Sequence, residues 1–165
     1  MTRTITAAAG LTIALATAAH ADEFDFFATI DGSQEVPPNG SPAIGALTGT
    51  YDDVANTFSF SWDISDNLIG DPSSPGAHIH MAPAGQNGPI VFGFNNPDGT
   101  WPLSGSAVWT DLSPDDVDAL FAGGLYVNFH TTEFPGGEVR GQILPTPSAI
   151  TLLALGALGA ARRRR

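Results

Sequence analysis

The stretch TFSFSWDI, residues 57–64, decides the fold of the central part of this chain. Large apolar residues occupy every second position from Phe58 to Ile64, and two serines and an aspartate lie between them. Successive side chains of a β-strand point to opposite faces of the sheet, so this alternation predicts a strand with one buried and one solvated face. Such a strand is typical of an antiparallel sheet.

Working outward, the same alternation recurs through the chain and is broken by Gly, Pro and Asn clusters every eight to twelve residues. Further strands are predicted over residues 24–30, 43–51, 90–94, 104–110, 125–131 and 138–144, with another around 77–80. The segment 132–137 joins the last two strands as a hairpin. Short strands at this spacing predict an all-β sandwich or barrel formed by a single domain, residues 22–144.

One segment departs from the β pattern and predicts a short helix of two to three turns. Ser113 supplies an N-cap, Pro114 suits the first helical position, and Asp116 completes a capping box. Apolar residues follow on one face before Gly123 and Gly124 end the helix. We expect this helix to connect two strands and to carry no chemistry.

The composition excludes several classes of function. The 165 residues include 17 carboxylates, six arginines, no lysine and no cysteine, so neither a disulfide framework nor a thiolate metal site can form. All the acids lie between Asp22 and Glu138, where a surface this negative repels phosphate backbones and excludes nucleic-acid binding. No phosphate-binding loop, dinucleotide fingerprint or Ser-His-Asp order is present, and we therefore expect no enzyme.

Residues 1–21 have the order of a secretory signal peptide. Arg3 precedes a run of small and apolar residues, and Ala19 and Ala21 form a small-x-small cleavage site before the acidic start at Asp22. This pattern predicts export and processing by signal peptidase.

Residues 145–165 have the order of a sorting tail. Pro145 and Pro147 precede the apolar segment 149–161, and the chain closes on an arginine cluster, Arg162, Arg163, Arg164 and Arg165. A hydrophobic helix here would anchor the chain transiently in the inner membrane, with the arginines on the cytoplasmic side. The alternative is a soluble C-terminal helix with a basic tail. The tail resembles the PEP-CTERM sorting signal, although Pro-Thr-Pro replaces the usual Pro-Glu-Pro. That resemblance implies cleavage by an exosortase-type membrane protease and delivery to the cell surface or the extracellular matrix.

Three histidines outside the signal segment carry the candidate chemistry. His78 and His80 share one face of a strand, and parity places His130 on the same side of a second strand if Ile79 and Phe129 point into the core. The three imidazoles would then converge on one outer surface as ligands for zinc or copper. The alternative is that they cap strand ends and bond to loop backbone or to carboxylates.

Other polar residues accompany these histidines. Tyr126 and Asn128 share the face of His130 and are candidates for structural or ligand-orienting roles. Arg140 is expected to pair with Glu138 or Glu133 of the same hairpin. The loop 81–89 contains two glycines that would let it fold back over the histidines.

Four separated blocks carry a resemblance to a known family. They are DGSQEVPP (31–38), HIH with the following GPIV (78–80 and 88–91), LYVNFHT (125–131) and PGGEVRGQI (135–143). In this order they strongly resemble the CHRD domain, the module named after chordin, over residues 24–144. The resemblance implies an extracellular, immunoglobulin-like β-sandwich.

These observations predict an exported, surface-sorted module that acts without catalysis. Its partner would be an extracellular polysaccharide or a surface protein, or it would serve as a matrix protein. The alternative function is a metal-binding domain that uses the three histidines. A looser likeness to copper/zinc superoxide dismutase accompanies that alternative, but the further histidines and the disulfide of that enzyme are missing, so dismutase activity is not expected.

Overall fold

The computed structural model of this protein describes residues 22–151, which include eight strands and an α-helix. The strands are β1 (Glu23–Asp31), β2 (Ile44–Asp52), β3 (Thr57–Ile64), β4 (Pro72–Met81), β5 (Ile90–Gly93), β6 (Ser104–Thr110), β7 (Leu125–Thr131) and β8 (Val139–Pro145). The helix α1 (Pro114–Phe121) lies between β6 and β7, and a 3₁₀ turn (Gly32–Gln34) follows β1.

The eight strands form one continuous antiparallel sheet in the order β5-β4-β7-β8-β1-β2-β3-β6. The sheet curls until it is nearly closed, like a barrel. Its two terminal strands approach each other across the interior, where Phe92 of β5 stacks on Trp109 of β6 with ring centroids 5.3 Å apart. Two halves of one curled sheet therefore face each other, as the two layers of a sandwich do.

The prediction of an all-β, antiparallel fold with one short helix is confirmed. Strands β3, β6 and β7 have the predicted bounds, and those of β1, β2 and β8 differ by one residue at each end. The cap of α1 is also as predicted, since the Ser113 side chain accepts from the Asp116 amide and Asp116 bonds back to the backbone of Ser113.

The hydrophobic core fills the inside of the curled sheet and explains the alternation in the sequence. Even-numbered residues of β1 and β3, such as Phe26 and Phe58, are buried, and the residues between them on β3 are exposed. Phe121 of α1 packs edge-on against Phe26 and Phe24, with centroids 5.3 and 5.1 Å apart. Each large side chain buried in this way stabilises the fold by roughly 1.5–3 kcal/mol.

Strand β7 differs from the other strands because all seven of its residues are buried. One face, with Val127 and Phe129, belongs to the hydrophobic core. The opposite face of β4, β7 and β8 carries polar side chains, which three loops cover: 31–39, 82–89 and 132–137. We call this second, buried set the polar layer; its members are His78, His80, Tyr126, Asn128, His130, Arg140 and Gln142.

The predicted terminal segments lie mainly outside the described residues. Signal residues 1–21, with Ala19 and Ala21, fall there, as do 152–165 with the arginine cluster. Of the predicted sorting tail, Pro145 ends β8 and pairs with Phe26, and residues 147–151, beginning with Pro147, form a helical turn. Among residues 22–151, no helix has the length and apolar character needed to cross a bilayer.

Candidate functional site

The register of β4 and β7 brings the three histidines together. Ile79 pairs with Val127, so the neighbouring positions on both strands point away from the hydrophobic core and into the polar layer. The imidazole of His78 lies 5.2 Å from that of His130 and 5.8 Å from that of His80, between ring centroids. The predicted convergence of His78, His80 and His130 is therefore confirmed.

The separations of their nitrogen atoms are close to those of metal ligands. One nitrogen of each ring lies within 4.8 Å of the nitrogens chosen from the other two. Tetrahedral ligands at roughly 2.1 Å from a zinc ion are about 3.4 Å apart, so small side-chain movements would bring the three rings onto one ion.

Two of the rings are oriented by backbone carbonyls. Nδ1 of His80 lies 2.9 Å from the carbonyl oxygen of Gly88, and Nδ1 of His130 lies 2.9 Å from that of Pro135. A carbonyl only accepts, so each Nδ1 carries the proton and each Nε2 keeps a lone pair. Metal-ligating histidines are commonly held in this way.

The nitrogens that remain are buried without a partner. Nδ1 of His78, Nε2 of His80 and Nε2 of His130 each lack a hydrogen bond. A buried polar atom left in this state costs about 1–3 kcal/mol, so three of them in one cluster require an explanation.

The cluster is enclosed, whereas the sequence predicted an outer surface. The three histidines are 5–9% exposed because the covering loops close over the polar face. Burial lowers the pKa of all three imidazoles, and it lowers that of His78 to about 4 with help from the neighbouring His130 and His80. The site therefore favours neutral imidazoles, the form that binds metal ions.

The loop 82–89 covers the cluster and is tied to it by Gly88. Besides accepting from His80, this residue donates its amide to the hydroxyl of Tyr126, at 3.2 Å. A Cβ at position 88 would lie 1.9 Å from the carbonyl oxygen of Met81, so only glycine allows the loop to come this close. The prediction that glycine lets the loop fold over the histidines is confirmed.

Arg140 and Tyr126 form a stack with one of the histidines. The Tyr126 ring lies parallel to the His80 imidazole, with centroids 4.9 Å apart, and the Arg140 guanidinium lies 3.4 Å from the ring centroid of Tyr126. Arg140 also donates to the carbonyl of Gln86, to Asn87 and to Gln142. The ring of Tyr126 thus separates a buried cation from a member of the histidine cluster.

The predicted pairing of Arg140 with Glu138 or Glu133 is wrong, because Arg140 forms no ion pair in the part of the chain that the structure describes. Glu138 accepts instead from the amides of Ile69 and Gly70 and from the hydroxyls of Ser41 and Thr131. Its pKa is lowered because these hydrogen bonds outweigh burial, which acts in the opposite direction. Glu138 joins distant segments and takes no part in the histidine cluster.

Glu35 is a residue of this region to which the sequence analysis gave no role. Its side chain is 5% exposed, its Oε1 has no partner, and burial raises its pKa to about 7 against the opposing charge of Arg140. The predicted candidate Asn128 lies nearby, also with an unpartnered oxygen, and both side chains contact the space beside Gly137. Two cavities of about 290 and 300 Å³ flank Glu35, and Arg140 lines the first.

Comparisons with known proteins identify a family and no individual relative. Neither the curated proteins nor the solved structures include a match to this chain. The profile of the CHRD domain matches residues 26–143, which include every strand from β2 to β7, the polar layer and the three histidines. The chain therefore belongs to the CHRD domain family.

Proposed function

We infer that this protein is a metal-binding module that holds one transition-metal ion through His78, His80 and His130. Two observations carry this proposal: each of the three rings has a buried nitrogen without a hydrogen-bond partner, and one nitrogen of each ring lies within 4.8 Å of the nitrogens chosen from the other two. Neutral imidazole is a common ligand of zinc and copper, and three of them leave a fourth position of a tetrahedral site open.

The alternative, in which the histidines only cap strand ends, explains the Nδ1 atoms of His80 and His130 but not their Nε2 atoms. A capping histidine needs one hydrogen bond to the backbone, and His80 and His130 each make that bond with Nδ1. Their Nε2 atoms are then left without a partner in a buried cluster that also contains His78. One bound ion would satisfy all three nitrogens and remove the cost of burying them unpaired.

A role in binding fits the enclosure of the site better than a role in catalysis. The covering loops leave the histidines almost inaccessible, and the two cavities near Glu35 are lined by other residues. A substrate would have to displace the loop 82–89, which is anchored to Tyr126, His80 and Arg140. The proposed role is therefore to sequester or carry a metal ion, without turnover of a substrate.

The proposed location is the cell surface or the extracellular space. The signal-peptide pattern of residues 1–21 and the sorting-tail pattern of residues 145–165 support export, processing by signal peptidase and an exosortase-type protease, and display next to polysaccharide or surface proteins. Mass spectrometry of the protein recovered from its own cell envelope tests this. A mature chain that begins at Asp22 is expected, and an unprocessed cytoplasmic chain would contradict it.

The metal proposal is tested by equilibrium dialysis of the full chain against zinc and copper. About one equivalent is expected, and His78→Asn, His80→Asn and His130→Asn should each weaken binding by at least about tenfold. His20→Asn removes the one other histidine of the sequence and is the matched control, which should bind like the unaltered chain. Less than about a tenth of an equivalent, or binding that survives the three substitutions, would overturn the proposal.

A further inference from the structure

The charges around the histidine cluster bear on which ion it holds. His78, His80 and His130 are neutral ligands, and within residues 22–151 no aspartate, glutamate or cysteine joins them. The free energy of moving an ion from water into a buried site rises with the square of its charge. A divalent ion would therefore keep its full charge in an enclosed site that contains no counter-charge.

Arg140 makes the surroundings more positive. Its guanidinium is 1% exposed and stacks on Tyr126, whose other face lies against His80. The hydrogen bonds of this guanidinium go to the neutral oxygens of Gln86, Asn87, Pro83 and Gln142. The Glu35 carboxyl also acts on this charge, but burial raises its pKa to about 7, so near neutral pH it offsets only part of the charge. A permanent cation thus lies one aromatic ring away from a ligand of the site. It repels a doubly charged metal ion more strongly than a singly charged one.

The number of ligands also favours a singly charged ion. With three histidines, zinc takes a water or another ligand at its fourth position, and cupric ion prefers a square-planar or tetragonal set of nitrogen and oxygen ligands, so both ions need a ligand besides the three rings. The three histidines come from two adjacent strands, and the carbonyls of Gly88 and Pro135 bond to the far sides of two of the rings. Cuprous ion carries a single charge and is stable with three nitrogen ligands, so it fits an enclosed set of three imidazoles.

We propose, on the basis of the metal site inferred above, that His78, His80 and His130 select copper in its cuprous state over divalent copper and zinc. The geometry that carries this inference is an enclosed, neutral three-imidazole cluster stacked against the buried Tyr126–Arg140 pair.

Competition titrations of the full chain test this inference. Cuprous ion is measured without oxygen against bicinchoninate, and cupric ion and zinc are measured against chelators of matched affinity. The dissociation constant for cuprous ion is expected to be at least about 100-fold lower than that for cupric ion. The difference from the dissociation constant for zinc is expected to be larger. Comparing cuprous with cupric ion changes the charge of the ion while the three histidine ligands stay the same.

Arg140→Gln tests the role of charge directly. Removing the guanidinium should narrow the preference for cuprous over cupric ion by about tenfold, while His20→Asn should leave the preference unchanged. Circular dichroism checks that the variant is folded, and if it is not, the preference of the unaltered chain decides the question alone.

The outcomes separate the two proposals. Cupric ion or zinc binding as tightly as cuprous ion, and depending on the three histidines, would overturn the cuprous inference and leave the metal site intact. Failure of all three ions to bind would overturn both.

Discussion

Two buried carboxyl groups illustrate how the environment of a single residue decides its role. Glu138 has all its hydrogen bonds satisfied by four donors from three segments of the chain, and the lowered pKa of this carboxyl reflects those bonds, which overcome burial. Glu35 is buried with an unpartnered oxygen, and its pKa is raised by the loss of solvent. The first is a structural carboxylate, and the second is about half protonated near pH 7.

Replacing Glu138 by glutamine should destabilise the fold. The amide nitrogen of the variant cannot accept hydrogen bonds, so donors such as the amides of Ile69 or Gly70 lose their partner in a buried position. The expected loss is about 3 kcal/mol in the free energy of unfolding, measured in urea. Glu133→Gln, at an exposed position, is the control and should change the free energy by less than about 0.5 kcal/mol.

Glu35 should give the stability a pH dependence of known sign. Its folded pKa of about 7 exceeds its usual value of 4.5, so the folded protein binds the extra proton, and stability from this group is lost as pH rises through 7. Histidines with lowered pKa act oppositely, since the stability they contribute is lost as pH falls below about 6.5. The difference in the free energy of unfolding between Glu35→Gln and the unaltered chain isolates the contribution of the Glu35 carboxyl.

Relative to the unaltered chain, Glu35→Gln should gain stability between about pH 5 and pH 8, by up to about 3 kcal/mol. Urea unfolding at several pH values measures this difference. A difference that stays constant with pH would show that the Glu35 carboxyl titrates normally in the folded protein.

At the scale of elements, the loop 82–89 joins β4 to β5 and contacts the histidine cluster. The amide of Met81 donates to Pro89, and Gly88 bonds both to His80 and to Tyr126. The loop therefore orients a ligand of the site without supplying one itself.

Gly88→Ala should weaken metal binding and leave the rest of the sheet intact. The new methyl group would collide with the Met81 carbonyl and push the loop away, so that His80 loses the hydrogen bond that sets its tautomer. We expect a loss of 10- to 100-fold, on the order of the effect of removing a partner of a ligand. Gly136→Ala is the control because a methyl group there meets no other heavy atom within 4 Å. Equal affinities for the two variants would contradict the role of the loop.

At the scale of the whole molecule, the proposed ion would link β4 and β7, two neighbouring strands of one continuous sheet. Metal bound at about 1,000 times its dissociation constant adds about 4 kcal/mol to the free energy of unfolding, because it binds the folded state alone. For a domain of this size, the expected rise in the unfolding temperature is at least about 8 °C. Calorimetry with and without metal measures the rise, which a chelator should reverse. The same rise in His130→Asn would contradict binding at the cluster.

The local pattern of the sequence determined most of the strands, the cap of α1 and the face that each histidine shares, although β4 begins at Pro72, before the predicted strand around 77–80. The alternation from Phe58 to Ile64 and the parity of Ile79 with the two histidines beside it depend only on the geometry of an extended backbone, so they are readable without a structure. The same is true of Ser113, whose cap involves residues three positions apart.

Only the tertiary structure decided what covers the polar face and which groups meet beneath it. Asn39 bonds to the backbone of Glu138 and Gln86 to the side chain of Arg140, contacts that join positions 99 and 54 residues apart. The enclosure of the histidines, the partners of Arg140 and the burial of Glu35 all depend on such contacts. Parity tells which face of a strand a side chain occupies, but the loops that close over that face are placed by the curling of the whole sheet.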